Sequence, residues 1–239
     1  MKLIIDLGNT LKKFAFFEKE EMKNLYAFEE FDLRELDRML EETPVKASIL
    51  CSVINYPDAM IDILSARSRF MKLTSQTPLP IRVSYETPDT LGKDRLAAAV
   101  AGASLYPERN VLIIIAGTCI TYDIVTAKKE YPGGAISPGL NMRYHGLNTF
   151  TDHLPLLEKA VHTPVTGRST HESIRSGVQL GALSEMDGMI DRYREEYEDL
   201  TIILSGGDAD YFDKRLKNNI FAVPNIVLTG LNAILDFNV

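Results

Sequence analysis

The strongest constraint on this chain is a pattern that it writes twice. Leu3-Ile4-Ile5-Asp6-Leu7-Gly8-Asn9-Thr10 is an apolar strand running into a glycine turn and a hydroxyl, and Ile113-Ile114-Ile115-Ala116-Gly117-Thr118 repeats that order. Each is followed by a second strand-like run, Lys13–Phe17 and Ile120–Val125, and then by alternating helix and strand patterns. Two short hairpins can look alike by coincidence. A duplicated α/β lobe, with a nucleotide cleft between the copies, accounts for the likeness of the two halves as wholes. The 239 residues suit one large domain or two lobes of roughly 110 residues each. The expected division is residues 1–106 and 107–239.

In the first half a third strand is expected over Lys23–Phe28. A helix is expected over Asp32–Glu42, with Leu33, Leu36 and Leu40 on one face and Asp32 as its N-cap. Ala47–Val53 reads as a strand, Pro57–Ala66 as a helix, Phe70–Leu73 as a strand and Asp94–Leu105 as an Ala-rich helix. In the second half a strand is expected over Glu130–Ile136, interrupted by Gly133-Gly134, then helices over Leu140–Leu147 and Glu172–Tyr197. A buried strand Thr201–Leu204 leads into Ser205-Gly206-Gly207, and a last helix starts near Asn225.

Bulk composition narrows the partners. Apolar residues make up 45% and charged residues 25%, the balance of an ordinary globular protein, and the net charge of −7 argues against an extended basic surface for nucleic acid. Asp6 interrupts the N-terminal apolar run too early for a signal peptide, and no run reaches the roughly 18 to 20 apolar residues that span a bilayer. Cys51 and Cys119, each inside an apolar run, read as free thiols in a reducing compartment. A cytoplasmic protein is expected. His145, His153, His162 and His171 lack the short spacing of metal ligands.

Four stretches carry candidate chemistry. In Asp6–Lys13 a carboxylate ends a strand beside a glycine turn. Exposed amides there can hold phosphate oxygens, Gly8 allows close approach, and Thr10 and Lys13 add a hydroxyl and a positive charge. A plain tight hairpin would favour Gly-Asn as well. Gly92-Lys93-Asp94-Arg95 opens a helix. Asp94 there is either a first-turn carboxylate favoured by the helix dipole or a general base, with Arg95 as a bidentate partner for an anionic acceptor. Gly117-Thr118 with Asp123 and the following run Gly133–Gly139 make a third stretch, and Ser205-Gly206-Gly207 after a buried strand a fourth; both place glycines where backbone approaches a ligand or another backbone.

Over essentially its whole length the chain resembles type III pantothenate kinases. The features that carry the likeness are Asp6-x-Gly8-Asn9-Thr10-x-x-Lys13, Gly92-x-Asp94-Arg95, Gly117-Thr118 with Asp123, Gly133-Gly134-x-Ile136-x-Pro138-Gly139-Leu140, Thr170 and Gly206-Gly207, in that order. The resemblance implies an α/β fold of two duplicated ribonuclease-H-like lobes, the actin-like ATPase fold. It also implies a homodimer whose substrate sites lie at or near the subunit interface. It places Asp6, Gly8, Asn9, Thr10 and Lys13 around the ATP phosphates, with Asp6 near Mg²⁺ and holding it through water. Thr118, Gly206 and Gly207 are expected to meet ATP from the second lobe. Tyr85, Gly92, Lys93, Arg95 and Thr170 are expected to bind pantothenate, and Asp94 to accept the proton of its primary hydroxyl. One position departs from the family: the carboxylate that holds an activating K⁺ or NH₄⁺ is replaced by Ile115, so that cation site is expected to be damaged or absent. Ile115 is also the one residue favouring the alternative, a catalytically impaired nucleotide-binding regulatory protein of the same fold.

Overall fold

The structure is a computed structural model that describes residues 1–239, and the chain falls into two compact units. The first contains Met1–Glu108, Val125–Pro132 and Asn225–Val239, and the second Arg109–Ile124 and Gly133–Pro224. In chain order the first stretch forms β1 (Lys2–Leu7), β2 (Lys12–Glu18), β3 (Glu21–Phe28), α1 (Leu33–Glu42), β4 (Ala47–Ser52), α2 (Ala59–Arg67), β5 (Arg69–Lys72), β6 (Arg82–Val83) and α3 (Lys93–Leu105). Then follow β7 (Val111–Ala116), β8 (Cys119–Val125), β9 (Glu130–Tyr131), β10 (Gly133–Pro138), α4 (Leu140–Thr149), α5 (Thr170–Arg175) and a π-helical turn, Ser176–Leu180. The chain ends with α6 (Gly181–Glu196), β11 (Thr201–Ser205), α7 (Ala209–Asp213), β12 (Phe221–Ala222) and α8 (Ile226–Asn238).

The two main sheets have the same plan. Their strand orders are β3-β2-β1-β4-β5 and β10-β8-β7-β11-β12. In each, the antiparallel strands come first in the chain and the parallel ones follow: β1 pairs antiparallel with β2 and parallel with β4, and β7 pairs parallel with β11. The doubled strand–turn–strand pattern is therefore a doubled sheet.

In the first sheet Leu3, Ile5 and Leu7 of β1 and Leu50 of β4 pack with Leu36, Met39 and Leu40 of α1 and Met60 and Leu64 of α2. Strand alternation turns Ile4 and Ile49 to the opposite face, where they are equally buried and where α3 and α8 lie. A strand buried on both faces has no polar side to show, which is why β1 and β4 read as continuous apolar runs. α1 begins where expected: Asp32 accepts a hydrogen bond from the Arg34 amide at 2.9 Å, and Glu35 accepts one from the Asp32 amide at 3.3 Å. The reciprocal pair satisfies donors that a helix start leaves open.

Three expectations need correction. The strand expected over Glu130–Ile136 is two strands: β9 pairs with β6 in a separate small sheet, while β10 joins β8 in the second main sheet. Gly134 is what lets β10 lie so close, because a Cβ there would sit 1.7 Å from the Tyr122 carbonyl oxygen. The long helix expected over Glu172–Tyr197 starts earlier, at Thr170, and is broken by the π turn Ser176–Leu180. The final helix, expected within the second lobe, belongs to the compact unit of β1. It packs along α3 so closely that a Cβ on Gly230 would lie 1.7 Å from the Ala97 carbonyl oxygen. The alanines of α3 and that glycine together permit near backbone contact. β6, β12 and α7 had no counterpart in the sequence reading, since two-residue strands and a five-residue helix carry too little periodicity to register.

Candidate active site

The polar cluster of the first unit is built by strand alternation. Asp6 shares the face of Ile4, the side covered by α3, and α3 begins at Lys93, so Asp94 falls in its first turn. Burial, and next the neighbouring Asp94 charge, push the Asp6 carboxyl up to about 7, while Lys13 pulls it back down. Lys13 is the residue directly across from Asp6 on β2, and its Nζ donates to Asn225 Oδ1 at 2.8 Å. Asn225 has a left-handed backbone (φ +55°) at the start of α8, a conformation that asparagine tolerates better than most residues. The sequence placed it at the start of a helix but gave it no site role, and its place after Pro224 and before an apolar helix is the signal that could have found it. Cys51 lies beside Asp6 on β4, and burial followed by the Asp6 and Asp94 charges pushes its thiol pKa well up, so it stays protonated.

The start of α3 has little slack. Asp94 Oδ1 accepts the Arg95 amide at 2.9 Å, and a Cβ on Gly92 would lie 2.6 Å from that same oxygen. Gly92 thus clears space for the carboxylate to fold over the helix start. Arg95 is buried, at 6% exposure. Lys93 Nζ donates to the carbonyls of Leu91 at 3.0 Å and Pro88 at 3.3 Å, holding the loop before the helix. Tyr85 stacks on Tyr131, ring centroids 6.4 Å apart. In the β1–β2 turn the Gly8 amide donates to the Leu11 carbonyl at 3.0 Å, which leaves Asn9 and Thr10 exposed at the tip.

In the second unit the ends of β7, β10 and β11 meet. The Gly139 amide donates to the Thr118 carbonyl at 3.1 Å, and a Cβ on Gly139 would lie 2.0 Å from the Gly117 carbonyl oxygen. Gly206 has φ +101°, and a Cβ there would lie 2.1 Å from the Ala116 oxygen. The Asp208 amide donates to that oxygen at 3.0 Å. Gly117 and Gly207, by contrast, face open space. The result is a glycine-walled floor with Thr118 exposed beside it. Asp123 is fully buried in β8, opposite Gly134. Ile115 is half-buried near the end of β7, beside Ser205 of β11. Thr170 stands apart from this floor, in a groove of about 800 Å³ lined also by Leu147, Leu154, Arg168, Ser169 and Ser173.

The structure therefore brings Asp6, Lys13 and Asp94 together in the first unit, and Gly117, Thr118 and Gly206 together in the second. Two α/β sheets of one plan, with loops at equivalent strand ends, define the actin-like kinase fold. Solved structures with that fold include the inorganic polyphosphate/ATP-glucomannokinase of Arthrobacter sp. strain KM, with a TM-score of 0.52, 12% identity and 100% of both chains covered. A glucokinase from an Antarctic psychrotroph matches with a TM-score of 0.51, 12% identity and 99% of both chains covered. At the level of sequence, the type III pantothenate kinase family profile matches residues 2–192. Type III pantothenate kinases of Phocaeicola vulgatus and Christiangramia forsetii are 42% and 43% identical to this chain, covering 100% of it and 99% of their own lengths. The chain belongs to the type III pantothenate kinase family.

Proposed function

We propose that the protein transfers the γ-phosphoryl group of ATP to the primary hydroxyl of pantothenate, giving 4′-phosphopantothenate and ADP, the first step of coenzyme A biosynthesis. The observation that carries this reading is the Asp6–Asp94 pair in a chain whose full length matches the family. Asp94, folded over the start of α3 by Gly92, takes the hydroxyl proton as the oxygen attacks the γ-phosphorus; the bond to the ADP oxygen breaks, and Asp94 later releases the proton to water. Arg95 supplies the guanidinium for the pantothenate carboxylate, and Tyr85, Gly92, Lys93 and Thr170 shape the acceptor site. Gly8, Asn9, Thr10 and Lys13, with Thr118, Gly206 and Gly207, hold the nucleotide.

A divalent cation fits the first cluster. The Asp6 carboxyl is raised to about 7 first by burial and next by the Asp94 charge, with Lys13 compensating only in part, so an added positive charge would stabilise its ionised form. Mg²⁺ held by Asp6 through water would neutralise charge on the phosphates. A monovalent cation does not fit at position 115, where Ile115 offers no oxygen, and no step is routed through one. Beyond Ile115 itself, no observation favours the impaired alternative.

A homodimer is supported by the apolar side chains exposed on and after β10 and α4: Ile136 at 63%, Phe150 at 87% and Val165 at 84%. Sedimentation should return twice the 26.7 kDa chain mass. A cytoplasmic location is supported by the two free thiols, and no helix is long and apolar enough to cross a membrane. The test of function is ATP consumption with Mg²⁺, measured with and without pantothenate. Turnover is expected only with pantothenate; turnover with a sugar instead, or none at all, would refute the reading.

A further inference from the structure

Gln179 is fully buried in the π turn and uses its whole amide. Its Nε2 donates to the Ala160 carbonyl at 2.8 Å and to Tyr211 Oη at 2.7 Å. Its Oε1 accepts from Tyr144 Oη and from the Ala160 amide, both at 2.8 Å. Two donors and two lone-pair sites are the full capacity of the group. Gripping both the N–H and the C=O of one residue, the side chain acts as a one-residue strand partner and fixes the backbone at Ala160. The neighbouring Lys159 reaches out of that fixed point to Asp208 Oδ1, at 2.5 Å. Asp208 closes the Gly206-Gly207 loop, and its amide is tied to the end of β7. In the other direction, the π turn contributes Gly177 to the groove that contains Thr170, and α5 runs from Thr170 directly into it. π turns cost regular hydrogen bonding and are kept mostly where function needs them.

We infer that Gln179 is a positioning residue that ties the nucleotide loop at Gly206-Gly207 to the acceptor groove at Thr170, with Lys159 as its arm to the nucleotide loop. The inference rests on the assignment of those two regions in the proposed function. Gln179 touches neither substrate. It sets the distance between two loops that must be in register for transfer, where misplacement of about 1 Å can cost about 10²-fold in rate.

The test compares the unmodified enzyme, Lys159→Met, Gln179→Glu and the double variant. The readouts are KM for ATP and for pantothenate, the Kd of MgATP by calorimetry without acceptor, and Tm. Lys159 is exposed enough to be replaced without loss of fold, and Lys159→Met should raise KM and Kd for MgATP about threefold to tenfold while KM for pantothenate stays within about twofold. Gln179→Glu keeps the shape but sets a carboxylate against the Ala160 carbonyl, and should raise both KM values about tenfold. In the double variant the MgATP effect should be no larger than in Gln179→Glu alone, because the arm has already lost its anchor. A Gln179→Glu protein with lower Tm and unchanged KM values would overturn the inference. So would Lys159→Met with unchanged Kd for MgATP, an outcome readable even if Gln179→Glu fails to fold. If the unmodified protein binds MgATP but does not turn over pantothenate, the functional reading falls, and the MgATP arm still decides the role of Lys159 and Gln179.

Discussion

The two sheets share one plan and differ in what they place at one position. Asp6 is the penultimate residue of β1 and Ile115 the penultimate residue of β7, each one residue short of a glycine turn and each beside a parallel strand, at Cys51 and Ser205 respectively. The first sheet puts a carboxylate there and raises its pKa; the second puts a hydrocarbon there and builds its polar edge from backbone instead. The backbone of a duplicated sheet thus offers two equivalent edges, and side chains decide the chemistry of each. One is charged and chemically demanding. The other is a glycine floor that presents amides and a threonine.

The largest test of that division is Asp94→Asn, which keeps the fold over the α3 start and removes the basicity. Turnover should fall by about 10² to 10⁴-fold while MgATP still binds, as read by single-turnover rates and calorimetry. Near-normal turnover would move the proton acceptor elsewhere in the first unit.

Asp6→Asn comes next. With Asp6 beside the phosphates as proposed, loss of its charge should cost about 10²-fold in turnover. Its effect on stability runs the opposite way. The folded state holds the Asp6 proton up to about pH 7, whereas the unfolded chain releases it near the ordinary carboxyl value of 3.8. Between those values the folded state binds more protons, so this group's contribution to stability declines as pH rises through the window. In the absence of metal and nucleotide, Asp6→Asn should therefore have a higher Tm than the unmodified protein at pH 8, with the gap closing by pH 4. A Tm difference independent of pH would mean that Asp6 titrates normally.

The second sheet is tested through its backbone. Gly206→Ala forces a side chain into a left-handed conformation and against the Ala116 carbonyl, and should cost on the order of 1–3 kcal/mol or more in chemical denaturation. Gly207→Ala, which meets nothing within 4 Å, should cost far less. The smallest effect is expected at Ile115: rates in K⁺, NH₄⁺ and Na⁺ at equal ionic strength should agree within about twofold, since an aliphatic side chain supplies no cation ligand. Ile115→Asp should then introduce a preference for K⁺ or NH₄⁺. Strong K⁺ activation of the unmodified protein would show that other groups hold the ion.

How much of this was legible in the sequence depends on range. The strand runs of β1, β4 and β7 and the Asp32 cap were legible because their causes are local: continuous apolar stretches and a capping box within four residues. The shared face of Asp6 and Asp94 was not, since it arises when α3 covers a particular side of β1. Ile115 lies in a continuous apolar run, yet near the end of β7 it is half-exposed, while Ala116 beside it is buried. The split of Glu130–Ile136 into two sheets and the return of α8 to the first unit both depend on partners far away in the chain. Gln179 gave no sign at all: a glutamine in a helical stretch looks like solvent-facing residue until Ala160, Tyr144 and Tyr211 close around it.

The return of α8 has a consequence for how the chain is made. On the ribosome, β1 through α3 emerge well before the helix that packs along α3, and before the Asn225 that holds Lys13. The unit that contains β1 is therefore finished only after Gly133–Pro224, the main stretch of the second unit, has been made. Until α8 has been made, the alanine face of α3 is left open to solvent or to chaperones. A stop codon before Asn225 would accordingly do most damage to β1, β4 and α3, far upstream in the chain.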